Sequence, residues 1–303
     1  MKITTYLYLA VLLCCLASCR KEDELTPSNI QDLFAPDPNA TDEESVLRRE
    51  FFEATQCYLL FNDTLSHEYM GLDGYGNPYY ETELVGLEWN ITTASYLRFR
   101  FDYLDNIEEK RNAVEFLETY LIPYVKNILP YSILAVNKID MYSSDGGPYE
   151  YDSSPLTYSS VRCLAITLDQ LQEPGIDYVA YAQDICCEMM ISNWGGDPED
   201  AYYGGEAEEF FSVNQWDYEE DKEWYDIPYG TGDEYLELFY DYGFLENTNE
   251  EFLPTAKEDA TAYIKACLTM SDEEFRATYG DWPTIMEKYE IIKPLVDATG
   301  IKF

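Results

Sequence analysis

The 303-residue chain is strongly acidic, with 59 Asp and Glu residues against 19 Lys and Arg residues and a formal net charge of −40 at pH 7. Nucleic-acid binding requires a basic patch that neutralises phosphates, so this charge excludes a nucleic-acid partner. Hydrophobic residues make up 46% of the chain and aromatic residues 16%. Those fractions are far above what a disordered acidic chain contains, so we expect most of the chain to fold.

The N-terminus has the composition of a secretory signal. Lys2 precedes an apolar run, residues 6–16, which is shorter than the ~20 residues that a membrane-spanning helix needs. The run closes in a Leu-Ala-Ser-Cys tetrapeptide ending at Cys19, which resembles a bacterial lipobox, where the cysteine is lipidated and the preceding residues are removed. We therefore predict a lipoprotein signal peptide over residues 1–18. An ordinary signal peptide or a membrane anchor helix is the alternative.

Residues 19–41 are predicted to form the lipidated cysteine and a disordered acidic tether. The segment is polar and contains prolines, and such a segment cannot bury enough apolar surface to fold. Its Lys-Glu-Asp-Glu run at residues 21–24 resembles the signal that directs Bacteroidetes lipoproteins to the outer face of the outer membrane. The resemblance implies a lipid-anchored protein of the cell outer membrane that faces the exterior. A plain solvated tether is the alternative.

The first half of the remaining chain reads mainly as strands. Hydrophobic alternation and turn residues predict strands, and one long amphipathic pattern predicts a helix on the sheet. The predicted elements are a helix over 41–52, a strand over 57–61, a hairpin over 67–72 and 79–85, strands over 87–93 and 96–103, a helix over 108–128, a strand over 131–139, a loop over 142–155 and a strand over 161–168.

The second half reads as helices. The predictions are helices over 177–192, 234–242, 258–268, 272–279 and 284–298, with a Gly/Asp-rich loop over 194–205. Strands with one long helix followed by helices alone indicate an α+β fold. We expect a mixed or antiparallel N-terminal sheet and an all-helical C-terminal half within one domain over 42–303, which is rich in strands to about residue 170 and helical over 171–303.

Few residues in this chain are suited to catalysis. His67 is its single histidine, which excludes a histidine-rich zinc site within one chain. A Ser-His-Asp triad would have to use it with the neighbouring Ser66, without a G-x-S-x-G elbow, so a surface or packing role is expected. The turn that starts at Asp73 departs from a calcium-binding EF loop, and a hairpin turn is the better interpretation. Acidic runs at 206–209 and 217–223 are expected to be solvated, although calcium binding there remains open.

The cysteines do not predict a disulfide framework. Five remain after Cys19, namely Cys57, Cys163, Cys186, Cys187 and Cys267. Their number is odd and no CxxC pair exists, so we expect neither disulfides nor a cysteine zinc site. The adjacent pair lies in an apolar helical pattern, where a free cysteine behaves as a small hydrophobe.

Residues 58–65, the sheet-then-helix order and the C-terminal run 288–303 resemble a Bacteroidetes lipoprotein family. These are zinc metallohydrolase-like proteins associated with SusC/SusD-type nutrient import, and the resemblance implies a zincin-like order of elements. Zincins bind zinc through a His-Glu-x-x-His motif, whose two histidines share one helical face. At the corresponding place this chain carries Gln183, Asp184 and Cys187, so both histidines are replaced and aspartate stands at the glutamate position.

A second acidic segment of that family corresponds to Glu258 and Asp259. The resemblance would make them metal ligands. However, Thr255 and Glu258 also have the spacing of a helix capping box, and acidic residues in a first turn are stabilised by the helix dipole. We favour capping here. The sequence thus implies no cofactor, and zinc or calcium remains an open alternative.

The leading hypothesis is a surface-exposed outer-membrane lipoprotein that is a non-catalytic accessory of a SusC/SusD-type import system. One alternative is an active, peptidase-like metal-dependent hydrolase with unusual ligands. Another is a lipoprotein that binds glycans, because exposed aromatic rings can stack on sugars. The candidate glycan contacts are Trp194, Tyr202, Tyr203, Trp216, Trp224 and Tyr225. These rings alternatively cover the core, and the expected partners are the outer membrane, the transporter pair and an unidentified glycan or peptide.

Overall fold

The computed structural model describes residues 32–87, 97–144, 146–194, 207–214, 239–246 and 253–302. The chain divides into two compact units, Met1–Asp32 and Leu33–Phe303, and the fold below is that of the larger unit. Cys19 and residues 88–93 of one predicted strand lie outside the described residues. In the described ranges, no helix is long and apolar enough to cross a membrane.

The predicted α+β class is confirmed by a six-stranded mixed sheet and a mostly helical C-terminal half. Strand β5 is the centre of the sheet, because its first half pairs in parallel with β1 and β8 and its second half pairs antiparallel with β4 and β6. Strand β7 extends the sheet beyond β8, and β2 and β3 form a separate hairpin. The strands are β1 (Tyr58–Leu60), β2 (Thr64–Leu72), β3 (Pro78–Leu84), β4 (Leu97–Tyr103), β5 (Ser132–Ser143), β6 (Glu150–Ser153), β7 (Thr157–Ser159) and β8 (Cys163–Thr167).

Both faces of the sheet are buried at its central strands, β5 and β8. Successive side chains of a strand point to opposite faces, and along β5 Ile133 and Ala135 join the large core under the helices. Leu134 and Val136 alternate with them and pack in a smaller cluster on the other face. Phe34 is buried in that smaller cluster, so the packed unit begins earlier than the predicted boundary at 42.

The helices are α1 (Glu43–Thr55), α2 (Ile107–Phe116), α3 (Ile122–Val125), α4 (Tyr178–Asn193), α5 (Glu208–Val213), α6 (Ala256–Thr269), α7 (Asp272–Tyr279) and α8 (Pro283–Thr299). A 3₁₀ turn, Asp169–Gln172, follows β8, and residues 239–242 are also helical. A capping box starts α7, since Ser271 accepts from the backbone N–H of Glu274 and the side chain of that glutamate accepts from the backbone N–H of Ser271.

Two predicted elements differ from the structure. The helix predicted over 108–128 is interrupted between α2 and α3 by a π-helical turn, Leu117–Leu121. Pro123 is the second residue of the next segment and lacks the N–H that would continue the helical hydrogen bonds, whereas the turn keeps Leu117, Leu121 and Val125 fully buried. The loop predicted over 142–155 is wrong in part, because it contains β6, which pairs with the extended end of β5.

The β2–β3 hairpin confirms the predicted turn. Asp73 Oδ1 accepts hydrogen bonds from the backbone N–H groups of Tyr75 and Asn77, and these hold the pKa of the Asp73 carboxyl below its usual range. His67 stacks on Tyr80 with ring centroids 4.7 Å apart. Its Nδ1 lies 2.8 Å from the hydroxyl oxygen of Thr82, so the single histidine is a surface packing residue.

Candidate functional site

Gln183, Asp184 and Cys187, the residues compared above with a zinc motif, lie on α4, at its contact with α6. Asp184 Oδ1 lies 2.5 Å from Lys265 Nζ, and one turn further Glu188 Oε1 lies 2.7 Å from Lys257 Nζ. Residues four apart share one helical face, so the two acids meet two lysines of α6 in antiparallel order. Two ion pairs therefore join α4 and α6 at this face.

Glu188 is the more deeply placed of the two acids. Its side chain is 12% exposed, compared with 39% for Asp184. Its Oε2 accepts hydrogen bonds from the backbone N–H of Thr157 at 2.9 Å and from the Thr157 hydroxyl at 3.2 Å. Glu188 therefore connects β7, α4 and α6, and the sequence analysis missed it because no motif includes this position.

The two adjacent cysteines of α4 are buried, as their apolar surroundings predict. Cys186 and Cys187 are fully inaccessible and belong to the large core. Burial raises the pKa of the Cys186 thiol to about 12 and that of the Cys187 thiol further. The thiolate is the form that binds metals and attacks electrophiles, so both residues are inert core thiols.

A zinc ion does not fit this set of residues. Asp184 is paired with Lys265, and Cys187 is a buried neutral thiol that faces the core. Gln183 is half-buried on the same helix and offers only a neutral amide. Structural and catalytic zinc sites use imidazole, thiolate or carboxylate ligands that converge on one point. Within the described residues, no group of three or more His, Cys, Asp or Glu side chains is arranged to hold a metal ion.

The acidic pair at the start of α6 has two different roles. Glu258 is half-buried and forms a capping box with Thr255, whose backbone N–H it accepts at 2.8 Å. Capping is thus confirmed for Glu258. It is wrong for Asp259, which is 2% exposed and forms an ion pair with the fully buried Lys288 of α8. Asp259 is the fourth residue of α6, one position beyond Glu258, and the helical period turns it toward the core.

Lys288 of α8 lies in a buried cage that α5, α6 and residues 243–244 form around it. Its Nζ donates to Asn214 Oδ1 at 2.7 Å, to the Gly243 carbonyl at 3.1 Å and to Asp259 Oδ2. The aromatic rings of Phe210, Tyr263 and Phe244 surround the same nitrogen with centroids at 4.9, 4.9 and 5.0 Å. A desolvated cation is stabilised by such ring faces, so the cage offsets part of the cost of burying the charge.

Gly243 is required where the chain approaches the cage. Its φ is +87°, in the region that favours glycine, and a Cβ added there would lie 2.6 Å from Thr284 Cγ2. The same residue offers its carbonyl to both Lys288 and the hydroxyl of Tyr263, the latter at 2.8 Å. The backbone at Gly243 is therefore fixed by sterics and by two buried donors.

The aromatic residues proposed as glycan contacts are only partly described. Trp194 is the C-cap of α4 and is 5% exposed within the large core, so it is a core residue and offers no surface for stacking on a sugar. Tyr202, Tyr203, Trp216, Trp224 and Tyr225 lie outside the described residues.

A surface cleft of about 260 Å³ opens at one end of the sheet. It is lined by residues 128–131, by residues 159–164 and by Met189 and Ser192 of α4. Small-molecule sites in proteins enclose about 300–1,000 Å³, so the volume of this cleft is slightly below that range. No residue singled out from the sequence as a site candidate lines it.

Comparison with known proteins gives no match, since no protein-family model, no curated protein and no solved structure is significantly similar to the chain. Function is therefore argued from the residues themselves.

Proposed function

We propose that the chain is a surface-exposed outer-membrane lipoprotein, anchored through Cys19, that assists a SusC/SusD-type nutrient import system without catalysis. One observation supports the non-catalytic part. The positions that carry zinc ligands in the metallohydrolase-like family here carry Asp184, in an ion pair with Lys265, and the buried Cys187. A cation of the protein itself therefore stands beside the acid where the family would bind zinc.

The anchor is tested by metabolic labelling with radioactive palmitate. Wild-type protein is expected to incorporate the label and Cys19→Ala to lose it, because the thiol of that residue is the lipid acceptor in a lipobox. Cys15→Ala is the matched control, since it removes a cysteine of the apolar run and should leave labelling unchanged. Protease treatment of intact cells should digest the labelled protein. Labelling that survives in Cys19→Ala, or a protein resistant to protease, would contradict the proposal.

The non-catalytic role is tested on the purified protein with a library of peptides. We expect no turnover above background and no difference between wild type and Asp184→Ala, because both acids at this face are paired with lysines and the described residues there include no set of metal ligands. Peptide hydrolysis that depends on stoichiometric zinc and disappears in Asp184→Ala would establish the active hydrolase instead. Failure to co-purify with a SusC/SusD pair from its own membranes would contradict the import role.

A further inference from the structure

The buried cage contains the components of an amide exchange within the protein, which are Lys288, Asn214 and Asp259. The Nζ of Lys288 lies 2.7 Å from Asn214 Oδ1 and contacts Asp259 Oδ2. An amine nucleophile, an amide carbon and a carboxylate that can accept a proton are thus fixed in one place. We propose that Lys288 and Asn214 form an intramolecular isopeptide bond, with Asp259 as the acid and base of the reaction.

Burial favours the reactive form of the amine. Lys288, Asp259 and Asn214 are 0%, 2% and 3% exposed, and three aromatic rings surround the nitrogen. Desolvation penalises both an ammonium and a carboxylate, and transfer of one proton from Nζ to Oδ2 removes both charges together. The neutral amine that results is the nucleophile, and the closed cage keeps competing water away from the amide.

The asparagine amide is held beside the amine by its own hydrogen bonds. Asn214 is the C-cap of α5, and its Nδ2 donates to the carbonyl of Tyr242 at 2.8 Å. That bond directs Oδ1, and with it the adjoining Cγ, toward the lysine. Well-oriented groups in one molecule react as if at concentrations of roughly 10⁵–10⁸ M, which is why an otherwise unreactive side-chain amide becomes a substrate here.

The reaction is balanced without any added reagent. Nζ forms a bond to Asn214 Cγ, and the bond between Cγ and Nδ2 breaks. Asp259 accepts the first proton from the Lys288 ammonium and passes it to the departing nitrogen, Nδ2. It then accepts a second proton from Nζ. Ammonia is released, and its protonation in solvent draws the reaction forward. The product is a neutral amide that joins α5 to α8 across 74 positions of sequence.

Cyanogen bromide cleavage of the full-length protein tests the bond directly. The reagent cuts after methionine, so cuts at Met190 and Met270 should release the fragment 191–270, which contains Asn214, and the cut at Met286 should release the fragment 287–303, which contains Lys288. We expect it to remain joined to the fragment 191–270 under denaturing conditions, with a combined mass about 17 Da (one ammonia) below the sum of the two. These fragments do not include residue 19, so lipidation does not affect the readout.

Two variants serve as controls. Asp259→Asn retains the shape of the side chain but removes the proton acceptor, and it should release the fragment 287–303 intact. Lys293→Arg replaces another lysine of the same fragment and should leave the joined product unchanged. Release of the fragment from the wild-type protein would overturn the proposal. A joined product that has lost one water (about 18 Da) would also overturn it, because that mass identifies a bond from lysine to Asp259.

Discussion

Replacing Lys288 with alanine is expected to lower the free energy of unfolding by about 3–5 kcal/mol, because the change leaves the Asp259 carboxylate buried without its cation. The lysine is fully buried, and its Nζ also satisfies Asn214 Oδ1 and the Gly243 carbonyl. An isopeptide bond would add to the loss. Urea unfolding followed by tryptophan fluorescence measures the effect, since the midpoint shifts at constant slope when only stability changes.

Lys293→Ala is the matched control for this prediction. It lies on the same helix and pairs with Asp297, whose side chain is 60% exposed. Such a surface pair contributes at most about 0.5 kcal/mol, so this variant should unfold almost as the wild type does. A double variant, Lys288→Met with Asp259→Leu, should recover the part of the loss that comes from the unpaired carboxylate, but not the part that comes from the isopeptide bond. Equal midpoints for Lys288→Ala and Lys293→Ala would contradict the structural role of the cage.

The sequence predicts those parts of the fold whose signals are local. Helix α7 was predicted at its observed bounds, because a capping box starts it and Phe275 marks its buried face. The hairpin turn at Asp73 was predicted for the same reason, since an Asx turn is made by neighbouring residues. The short strand β6 was missed because its residues are mostly exposed and become a strand only by pairing with β5.

The buried cage around Lys288 is a part of the fold that local sequence signals do not predict. Lys288 lies on the stripe formed by Ile285, Tyr289, Ile292 and Val296, so the helical period alone places a lysine in the core. The apolar residues of the stripe do not indicate what neutralises the charge of the lysine. Its counter-ion Asp259 and its amide partner Asn214 were not predictable, because they are 29 and 74 positions away and no spacing rule connects them to Lys288.

The site on α4 was predicted in one respect and missed in another. The sequence shows that positions 183 and 187 carry Gln183 and Cys187 and no histidine, and this part needs no structure. It does not show that Asp184 meets Lys265, or that Glu188 reaches both Lys257 and Thr157, because those contacts depend on how α4 packs on α6 and β7. The structure therefore shows a helix–helix interface, held by ion pairs, at these positions of α4.

Replacing Glu188 with alanine is expected to lower the free energy of unfolding by about 1–3 kcal/mol, because it leaves the Thr157 N–H and hydroxyl without their acceptor. The half-buried Lys257 also loses its counter-ion. Asp184→Ala on the same face should cost less than about 1 kcal/mol, since both partners of that pair are 39% exposed and solvent screens them. Paired urea unfolding curves compare the two variants.

The variant Glu188→Gln distinguishes the contribution of the hydrogen bonds to stability from the contribution of the charge. Its amide oxygen can still accept from Thr157, so we expect most of the stability to return even though Lys257 remains without a carboxylate. Hydrogen exchange at the Thr157 amide should be fast in Glu188→Ala and slow in Glu188→Gln, because local opening at β7 follows the loss of this bond. If Asp184→Ala proved the more destabilising change, the exposed pair would be the one that holds α4 to α6, and the role assigned to Glu188 would be wrong.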